Sequence, residues 1–267
     1  MTSFLDTGGE GPTLVCLHGL GSGKEGFKHQ LAAAQKYGWR CVSIDAPGFG
    51  ETPQADAQGF APHVDIVVAT LNELGISKAA ILGHSMGGMT AQEIYATHPE
   101  RVSALILSAT SPAFGRPDGD FQKAFVKARF EPFDNGMSME EFAEQFAGGL
   151  VGKTAGANII EEIRSVMCHV PIPAYRQAVE TIVTFDRRNQ LPDIKAPTLL
   201  IAGEEDRNSP APMMEKMAGK IPGSQFIKMS GVGHMANLEE PDGFNHHLFS
   251  FLNSLESVDA DTGTLFT

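Results

Sequence analysis

Gly83-His84-Ser85-Met86-Gly87 is the stretch that decides the fold, because it matches G-x-S-x-G between two regular elements. Residues 79–82 before it form an apolar run typical of a buried strand, and residues 88–95 after it predict a helix. A sharp turn from strand to helix strains the backbone of the serine and lifts its hydroxyl above the edge of a sheet. The pattern alone is weak, but the flanking elements make Ser85 a candidate nucleophile.

A serine nucleophile needs a histidine as its base, and in this kind of turn both partners follow the serine along the chain. Of the nine histidines, His234 fits best, since it lies in a glycine-containing turn directly after a predicted strand at 225–229. Open α/β sheets place their sites at this edge of the strands. His84 lies inside the serine turn itself, and we expect its side chain to point away from Ser85.

The acid that orients the histidine should come from another loop at the same edge. An apolar strand is predicted at 198–202, and Glu204, Glu205 and Asp206 follow it. Asp206 is our choice because it begins the turn toward Pro210. Glu205 is the alternative acid, whereas we expect Glu204 to be a solvated loop residue.

The loop after the predicted strand 13–17 offers backbone donors for a substrate oxyanion. Its sequence is His18-Gly19-Leu20-Gly21-Ser22-Gly23, and glycines allow backbone N–H groups to approach a substrate closely. We predict an oxyanion hole formed by the N–H groups of Leu20 and Met86. The loop lacks the G-x-x-x-x-G-K-[ST] and G-x-G-x-x-G patterns, so neither a phosphate loop nor a dinucleotide cofactor is favoured, and no metal is predicted.

In these motifs the chain resembles the α/β-hydrolase family over nearly its whole length. The resemblance rests on His18-Gly19, Asp45-x-Pro47-Gly48-x-Gly50, Gly83-x-Ser85-x-Gly87-Gly88, His98-Pro99-Glu100-Arg101-Val102 and Gly233-His234. It points to the small ester- and lactone-cleaving members, including the 3-oxoadipate enol-lactonases, and implies a Ser85–His234–Asp206 triad. Relatives usually begin with an extra β-hairpin. Only residues 3–6 precede the first core strand here, so we expect this hairpin to be trimmed or lost by shortening of the chain.

The order of strand and helix signals divides the chain into a core and an insertion. We predict the α/β class, with an α/β-hydrolase fold in which a mostly parallel, doubly wound sheet carries a helical cap inserted after its sixth strand. The core comprises residues 1–110 and 188–267, and the cap residues 111–187. Further strands are predicted at 40–44 and 103–108. Helices are predicted near 118–130, 138–150, 155–169, 173–186 and 241–255, with a frayed tail at 257–267.

Length, charge and cysteine usage argue against several classes of function. The 267 residues suffice for one α/β domain with a large core, and the net charge of −12 argues against nucleic acid or an anionic membrane as partner. Three cysteines without a C-x-x-C motif give little support to a zinc or redox site. No apolar run reaches membrane-spanning length and no signal peptide is recognisable, so we expect a cytoplasmic monomer or homodimer.

The predicted cap carries the residues that would select a substrate. Arg129, Arg164 and Arg176 are candidate partners for a substrate carboxylate, with surface salt bridges as the alternative for each. The leading hypothesis is hydrolysis of a small carboxylic ester or lactone, with a carboxylate-bearing substrate as the candidate class. The alternatives are carbon–carbon bond hydrolysis of ring-cleavage keto acids with the same triad, and a sensor that binds a ligand on a hydrolase scaffold.

Overall fold

Seven strands form one sheet in the computed structural model, which describes residues 2–115 and 119–261. The strands are β1 Phe4–Asp6, β2 Thr13–Leu17, β3 Arg40–Ile44, β4 Ala79–His84, β5 Val102–Ser108, β6 Thr198–Gly203 and β7 Gln225–Met229. Their order across the sheet is β1-β3-β2-β4-β5-β6-β7, and all neighbouring pairs are parallel except β1 with β3. The predicted α/β class with a mostly parallel sheet is confirmed.

Ten α-helices are assigned in the described residues, and the fourth to the seventh follow one another between β5 and β6. The ten helices are α1 Lys28–Ala34, α2 Ala61–Glu73, α3 Met86–Thr97, α4 Asp120–Asp134, α5 Met139–Phe146, α6 Ala157–Met167, α7 Ile172–Ile182, α8 Ala211–Ala218, α9 Ala236–Glu239 and α10 Pro241–Asp261. Helix α10 continues past its predicted end at 255, and residues 262–267 of the predicted frayed tail lie outside the described residues. None of the described helices is both long and apolar enough to cross a membrane.

Helices cover both faces of the sheet, because its central strands are apolar on both sides. Along β2, Val15 and Leu17 belong to the core formed with α2, α3 and α8, whereas Leu14 and Cys16 belong to the core formed with α1 and α10. All the parallel strands end at one edge of the sheet. The loops after β2, β4, β6 and β7, which carry the predicted site residues, therefore meet at that edge.

Helices α4 to α7 form an insertion between β5 and β6. The prediction of an insertion after the sixth strand was wrong in this detail, because the single strand β1 stands where a hairpin would supply two. A neck joins the two ends of the insertion. The N–H of Phe114 donates to the carbonyl of Phe185 (2.9 Å), and the N–H of Arg187 donates to the carbonyl of Pro112 (2.8 Å).

The insertion packs onto the carboxyl edge of the sheet through one shared apolar cluster. Met86 and Leu238 of the core belong to this buried cluster together with Phe142 and Tyr175 of the insertion. Helix α4 was predicted to end near residue 130, but it runs through Pro132 to Asp134. A proline in the last turn removes only one hydrogen bond of the helix, so the helix can end after it.

Candidate active site

Ser85 occupies the predicted sharp turn between β4 and α3. Its φ of 54° and ψ of −116° lie in a region where residues other than glycine are rarely found. Two hydrogen bonds hold this conformation: its N–H donates to the Ser108 carbonyl (2.9 Å), and its carbonyl accepts from the Thr110 hydroxyl (2.7 Å). Because Ser85 directly precedes α3, it lies beside backbone N–H groups that have no partner within the helix.

Two glycines allow neighbouring segments of backbone to meet around Ser85. A Cβ atom on Gly87 would collide with the carbonyl of Leu17 at the end of β2. A Cβ atom on Gly19 would lie 2.9 Å from the Cβ of Ser85, so the loop after β2 passes directly beside the serine. The predicted oxyanion donors, Leu20 and Met86, thus belong to the two segments that flank Ser85.

A buried hydrogen bond joins Asp206 to His234. Nδ1 of His234 lies 2.8 Å from Oδ2 of Asp206, while Oδ1 accepts from the N–H groups of Asn208 (2.7 Å) and Ser209 (3.0 Å). A carboxylate at Nδ1 keeps the proton on that nitrogen, which leaves Nε2 able to accept one. This is the tautomer that a base for a serine hydroxyl requires.

The surroundings of Asp206 favour its ionised form. Burial alone raises the pKa of this carboxyl group, but the hydrogen bond and charge of His234, together with two backbone N–H groups, bring the pKa below its ordinary value. The other two predicted acids have different partners. Glu205 accepts from the N–H of Lys153 (2.8 Å), and Glu204 forms an ion pair at 3.1 Å with a lysine of β7. Of the three, Asp206 is the one bonded to His234.

His84, which was expected to point away from Ser85, contacts His234 and Ser108. Its ring packs against the ring of His234 at a centroid distance of 4.9 Å, and its Nδ1 lies 3.5 Å from the Ser108 hydroxyl. Burial lowers the pKa of His84 to about 3, and the nearby His234 ring acts in the same direction. A ring that stays neutral allows His234 to be protonated without a second positive charge beside it.

A second buried histidine, His18, holds the loop after β2 in place. Its Nδ1 donates to the Gly19 carbonyl (2.9 Å), and its Nε2 accepts from the N–H of Ala46 (2.9 Å). Because a ring nitrogen that accepts a hydrogen bond carries no proton, the Nε2 contact requires a neutral ring, and burial keeps the pKa of His18 below its ordinary value. In the same region Lys24 pairs with Asp45 at 2.8 Å. The predicted oxyanion loop is therefore tied to the loop after β3.

The insertion also contacts the loop that carries His234. The N–H of His234 donates to the Leu150 carbonyl (2.8 Å), and the Glu239 carboxylate accepts from the N–H groups of Gly152 (2.7 Å) and Gly233 (2.9 Å). We call these five residues the histidine-loop clasp. Sequence reasoning missed Glu239, because no pattern assigns a contact to a single glutamate at the end of a short helix. Burial raises the pKa of Glu239 despite the N–H groups that it binds.

A cavity of about 310 Å³ lies over Ser85, between the edge of the sheet and the insertion. The core borders it with Ser85, His234, Leu20 and Met86. The insertion contributes mainly apolar side chains, among them Phe125, Phe142, Phe146, Ile163, Met167 and Ile182. An apolar cavity of this size with a few convergent polar groups is typical of a site for a small molecule.

The predicted site residues gather nowhere else in the part of the chain that the structure describes. A second cavity of about 360 Å³, bordered by Tyr95 and Arg187, contains none of them. Among residues 2–115 and 119–261, no group of three or more histidine, cysteine or acidic side chains is arranged to hold a metal ion.

The three candidate arginines of the insertion have different surroundings. Arg164 pairs with Glu161 and Arg176 pairs with Asp134, each at 2.5 Å and near the surface. Arg164 and Arg176 therefore form surface salt bridges, the alternative role that was predicted from the sequence for each arginine. Arg129 instead lines the cavity over Ser85 and is the one candidate of the three that reaches the site.

Comparison with known protein families agrees with this arrangement of strands and loops. A model described as the alpha/beta hydrolase family matches residues 14–247. The chain belongs to the α/β-hydrolase family. This membership accounts for the serine turn after β4, because the family places its nucleophile there.

Proteins similar to this α/β-hydrolase catalyse several reactions. A thermophilic esterase from Thermogutta terrifontis, solved with malate bound, has a TM-score of 0.86 and 27% identity, covering 95% of this chain and 93% of that one. A 2-hydroxy-6-oxononadienedioate/2-hydroxy-6-oxononatrienedioate hydrolase from Paraburkholderia phymatum is 28% identical, covering 93% of this chain and 90% of that protein. The enol-lactonase from Burkholderia xenovorans shares the fold, with a TM-score of 0.83 and 24% identity over 94% and 96% of the two chains. The resemblance to small ester and lactone hydrolases is confirmed.

Proposed function

We propose that this α/β-hydrolase cleaves a small carboxylic ester or lactone through an acyl-enzyme. Ser85 is the nucleophile, His234 is the base, Asp206 orients His234, and the N–H groups of Leu20 and Met86 stabilise the oxyanion. The observation that carries the proposal is the Asp206–His234 hydrogen bond of 2.8 Å beside the cavity that Ser85 and His234 share. These are the groups and the tautomer that acyl transfer to a serine requires.

The first half of the reaction forms the acyl-enzyme. The Ser85 oxygen attacks the substrate carbonyl carbon while Nε2 of His234 takes the hydroxyl proton. Negative charge develops on the carbonyl oxygen, where the N–H groups of Leu20 and Met86 stabilise it. The bond from carbon to the leaving oxygen then breaks, and His234 gives its proton to that oxygen. Asp206 stays ionised and stabilises the imidazolium of His234.

The second half releases the acid. His234 takes a proton from water, the resulting hydroxide attacks the acyl carbon, and the bond to the Ser85 oxygen breaks as His234 returns the proton. An ester and water thus yield an acid and an alcohol, whereas a lactone yields one hydroxy acid. We propose that residues 111–187 act as a cap that limits the access of bulk water to this cavity.

Covalent labelling tests the nucleophile without knowledge of the substrate. A fluorophosphonate forms a bond between its phosphorus and an activated serine oxygen and loses fluoride, so we expect one adduct, mapped by mass spectrometry to Ser85. Ser85→Ala should prevent the adduct and lower kcat for a p-nitrophenyl ester by roughly 10⁴-fold or more. Ser165→Ala, an exposed serine on α6, is the matched control and should retain both. Normal turnover by folded Ser85→Ala would reject the mechanism.

Carbon–carbon bond hydrolysis is the second candidate function. The similarity to the Paraburkholderia phymatum hydrolase favours it, since that protein is 28% identical over nearly the same length. A parallel assay of p-nitrophenyl esters, small lactones and a vinylogous keto acid separates the candidates. Turnover of esters or lactones supports the main proposal, and turnover of the keto acid alone supports the alternative. Binding of these compounds without any turnover would favour a sensor.

A further inference from the structure

Arg129 is a cation that faces the cavity without an acidic partner. Among the described residues it forms no ion pair with a carboxylate, although the other two arginines considered, Arg164 and Arg176, both do. Its side chain is largely buried, and this burial lowers the pKa of the guanidinium. A guanidinium remains charged at neutral pH in any protein. The cavity therefore contains a positive charge that no described acidic side chain neutralises.

The neighbours of Arg129 fix how its donors are presented. The guanidinium lies over the ring of Phe125 at 3.9 Å from its centroid, so one of its faces is covered by an aromatic ring. The N–H groups of the guanidinium lie in its own plane and point away from its central carbon, so a ring over its face does not cover them. Arg129 also interacts with the hydroxyl of Tyr175, which borders the same cavity. Burial raises the pKa of Tyr175 to about 12, so its hydroxyl keeps a proton to donate.

We infer that Arg129 and Tyr175 form a subsite that binds a carboxylate of the substrate. The inference deepens the proposed function and rests on it for the reaction that the subsite serves. A planar carboxylate accepts two N–H groups from the edge of the guanidinium, and the Tyr175 hydroxyl supplies a third donor. The bonds are charge-assisted and lie in a largely apolar cavity, where electrostatic interactions are stronger than in water.

The rest of the cavity defines the class of substrate. Apolar side chains such as Phe142 and Ile182 line the space shared by Ser85 and Arg129. A matching substrate has the scissile carbonyl at one end, a short apolar segment and a carboxylate at the other end. Hydrolysis of such a monoester of a dicarboxylic acid consumes one water and yields an alcohol and the dicarboxylate. The dicarboxylate product retains the group that the subsite binds.

The acidic surface of the molecule does not prevent an anion from binding there. Glu162 also borders the cavity, but its carboxylate is paired with Lys28 at 2.8 Å. Arg207, which is exposed, adds a second positive charge at the cavity. Charges on the outer surface are screened over about 10 Å in 0.1 M salt, so the acidic outer surface adds little to the potential within the cavity.

A pair of matched esters tests the subsite. We would measure kcat/KM for release of 4-nitrophenol from the mono-4-nitrophenyl ester of adipic acid and from its methyl ester, in which a neutral methyl ester replaces the carboxylate. The wild type should prefer the acid by about tenfold or more, because a buried guanidinium left without its partner is unfavourable. Arg129→Met should bring the ratio close to one, and Tyr175→Phe should reduce it. Arg176→Met, the matched surface control, should keep the wild-type ratio.

Binding of adipate provides a readout that does not depend on catalysis. Isothermal titration calorimetry should show adipate binding to the wild type and at least tenfold weaker binding to Arg129→Met. If Arg129→Met does not fold, Arg129→Lys takes its place and should lower both the affinity and the ester ratio, because lysine lacks the planar fork.

The outcomes separate this inference from the proposed function. Equal turnover of both esters by the wild type, with no adipate binding, overturns the subsite but leaves the serine hydrolase intact. An unchanged ester ratio in folded Arg129→Met also overturns it. Arg129-dependent adipate binding without turnover of any ester supports the subsite and rejects the proposed function.

Discussion

Ser85 shows at the scale of one residue how the backbone is adapted to the site. Its positive φ is a conformation that costs on the order of 1–3 kcal/mol for a residue with a side chain. The Ser108 carbonyl and the Thr110 hydroxyl hold Ser85 in this conformation from β5 and the residues that follow it. The strain is therefore maintained by the neighbouring strand rather than by Ser85 alone, and the side chain is presented to the cavity before substrate arrives.

The choice between Asp206 and Glu205 leads to a prediction at the same scale. Asp206→Asn should lower kcat by up to about 10⁴-fold, because the amide can donate to Nδ1 and stabilise the wrong tautomer of His234. Glu205→Gln is the matched control and should change kcat by less than about threefold, since Glu205 binds the N–H of Lys153 instead. Steady-state kinetics on a p-nitrophenyl ester measures both. A large loss in Glu205→Gln with little loss in Asp206→Asn would contradict the assignment.

At the scale of the elements, the histidine-loop clasp joins the insertion to the turn after β7. Glu239 uses its two carboxylate oxygens to accept N–H groups from Gly152 in the insertion and from Gly233 beside His234. The Leu150 carbonyl accepts the N–H of His234 itself. The position of the proposed base thus depends on the insertion as well as on the sheet.

Glu239→Gln should weaken this connection, because an amide nitrogen facing a backbone N–H group cannot accept its hydrogen bond. We expect kcat to fall by about tenfold, since small displacements of a catalytic group are costly for the rate. Faster amide hydrogen exchange at residues 150–152 and 233–234 should accompany the loss. Glu240→Gln, the exposed neighbour, is the matched control. An unchanged exchange rate and kcat in Glu239→Gln would show that the clasp does not position His234.

The elements differ in how far the sequence could predict them. The strands before Ser85 and Asp206 are unbroken apolar runs, and their positions were predicted to within two residues because buried parallel strands require such runs. Ser85 was predicted from the G-x-S-x-G motif. Asp206 and His234 were predicted from their places after later strands, in the order serine, acid, histidine. The contact between the rings of His84 and His234 could not be predicted, because it arises only when β4 and β7 bring their ends together. Glu239 escaped prediction because its partner Gly152 lies 87 residues earlier in the chain, in the insertion.

At the scale of the whole molecule, several buried histidines make folding sensitive to acid. Burial lowers the pKa of His63 to about 4 and that of His84 to about 3, and it lowers the pKa of His18 as well. The unfolded chain binds protons at these residues near the ordinary value of about 6.5. Below that pH the unfolded state binds more protons than the folded state. The contribution of these histidines to the free energy of unfolding is therefore complete above about pH 6.5 and is lost as the pH falls toward 4.

We expect the free energy of unfolding to fall by about 1 kcal/mol for each of His63 and His84 between pH 7 and pH 5.5. Urea unfolding at pH 7, 6 and 5.5 measures the decrease. His63→Gln should make the fall in the free energy of unfolding between pH 7 and pH 5.5 smaller by about 1 kcal/mol, whatever the substitution does to the stability at pH 7. His246→Gln, an exposed histidine, should retain the wild-type dependence. A wild-type stability that stays constant over this range would contradict the prediction.

The neck of the insertion has a consequence for how this protein can change over evolution or by engineering. Its two ends are already held together by the pairing of β5 with β6 and by the bonds of Phe114 and Arg187. Extra or missing residues between them alter the closure entropy of the loop only slowly, by about 0.6 kcal/mol for each doubling of length. A different helical segment can therefore replace this one, provided that it restores the contacts of Leu150 and Gly152, and new substrate preferences can arise while the strands that carry the serine, the acid and the histidine stay as they are.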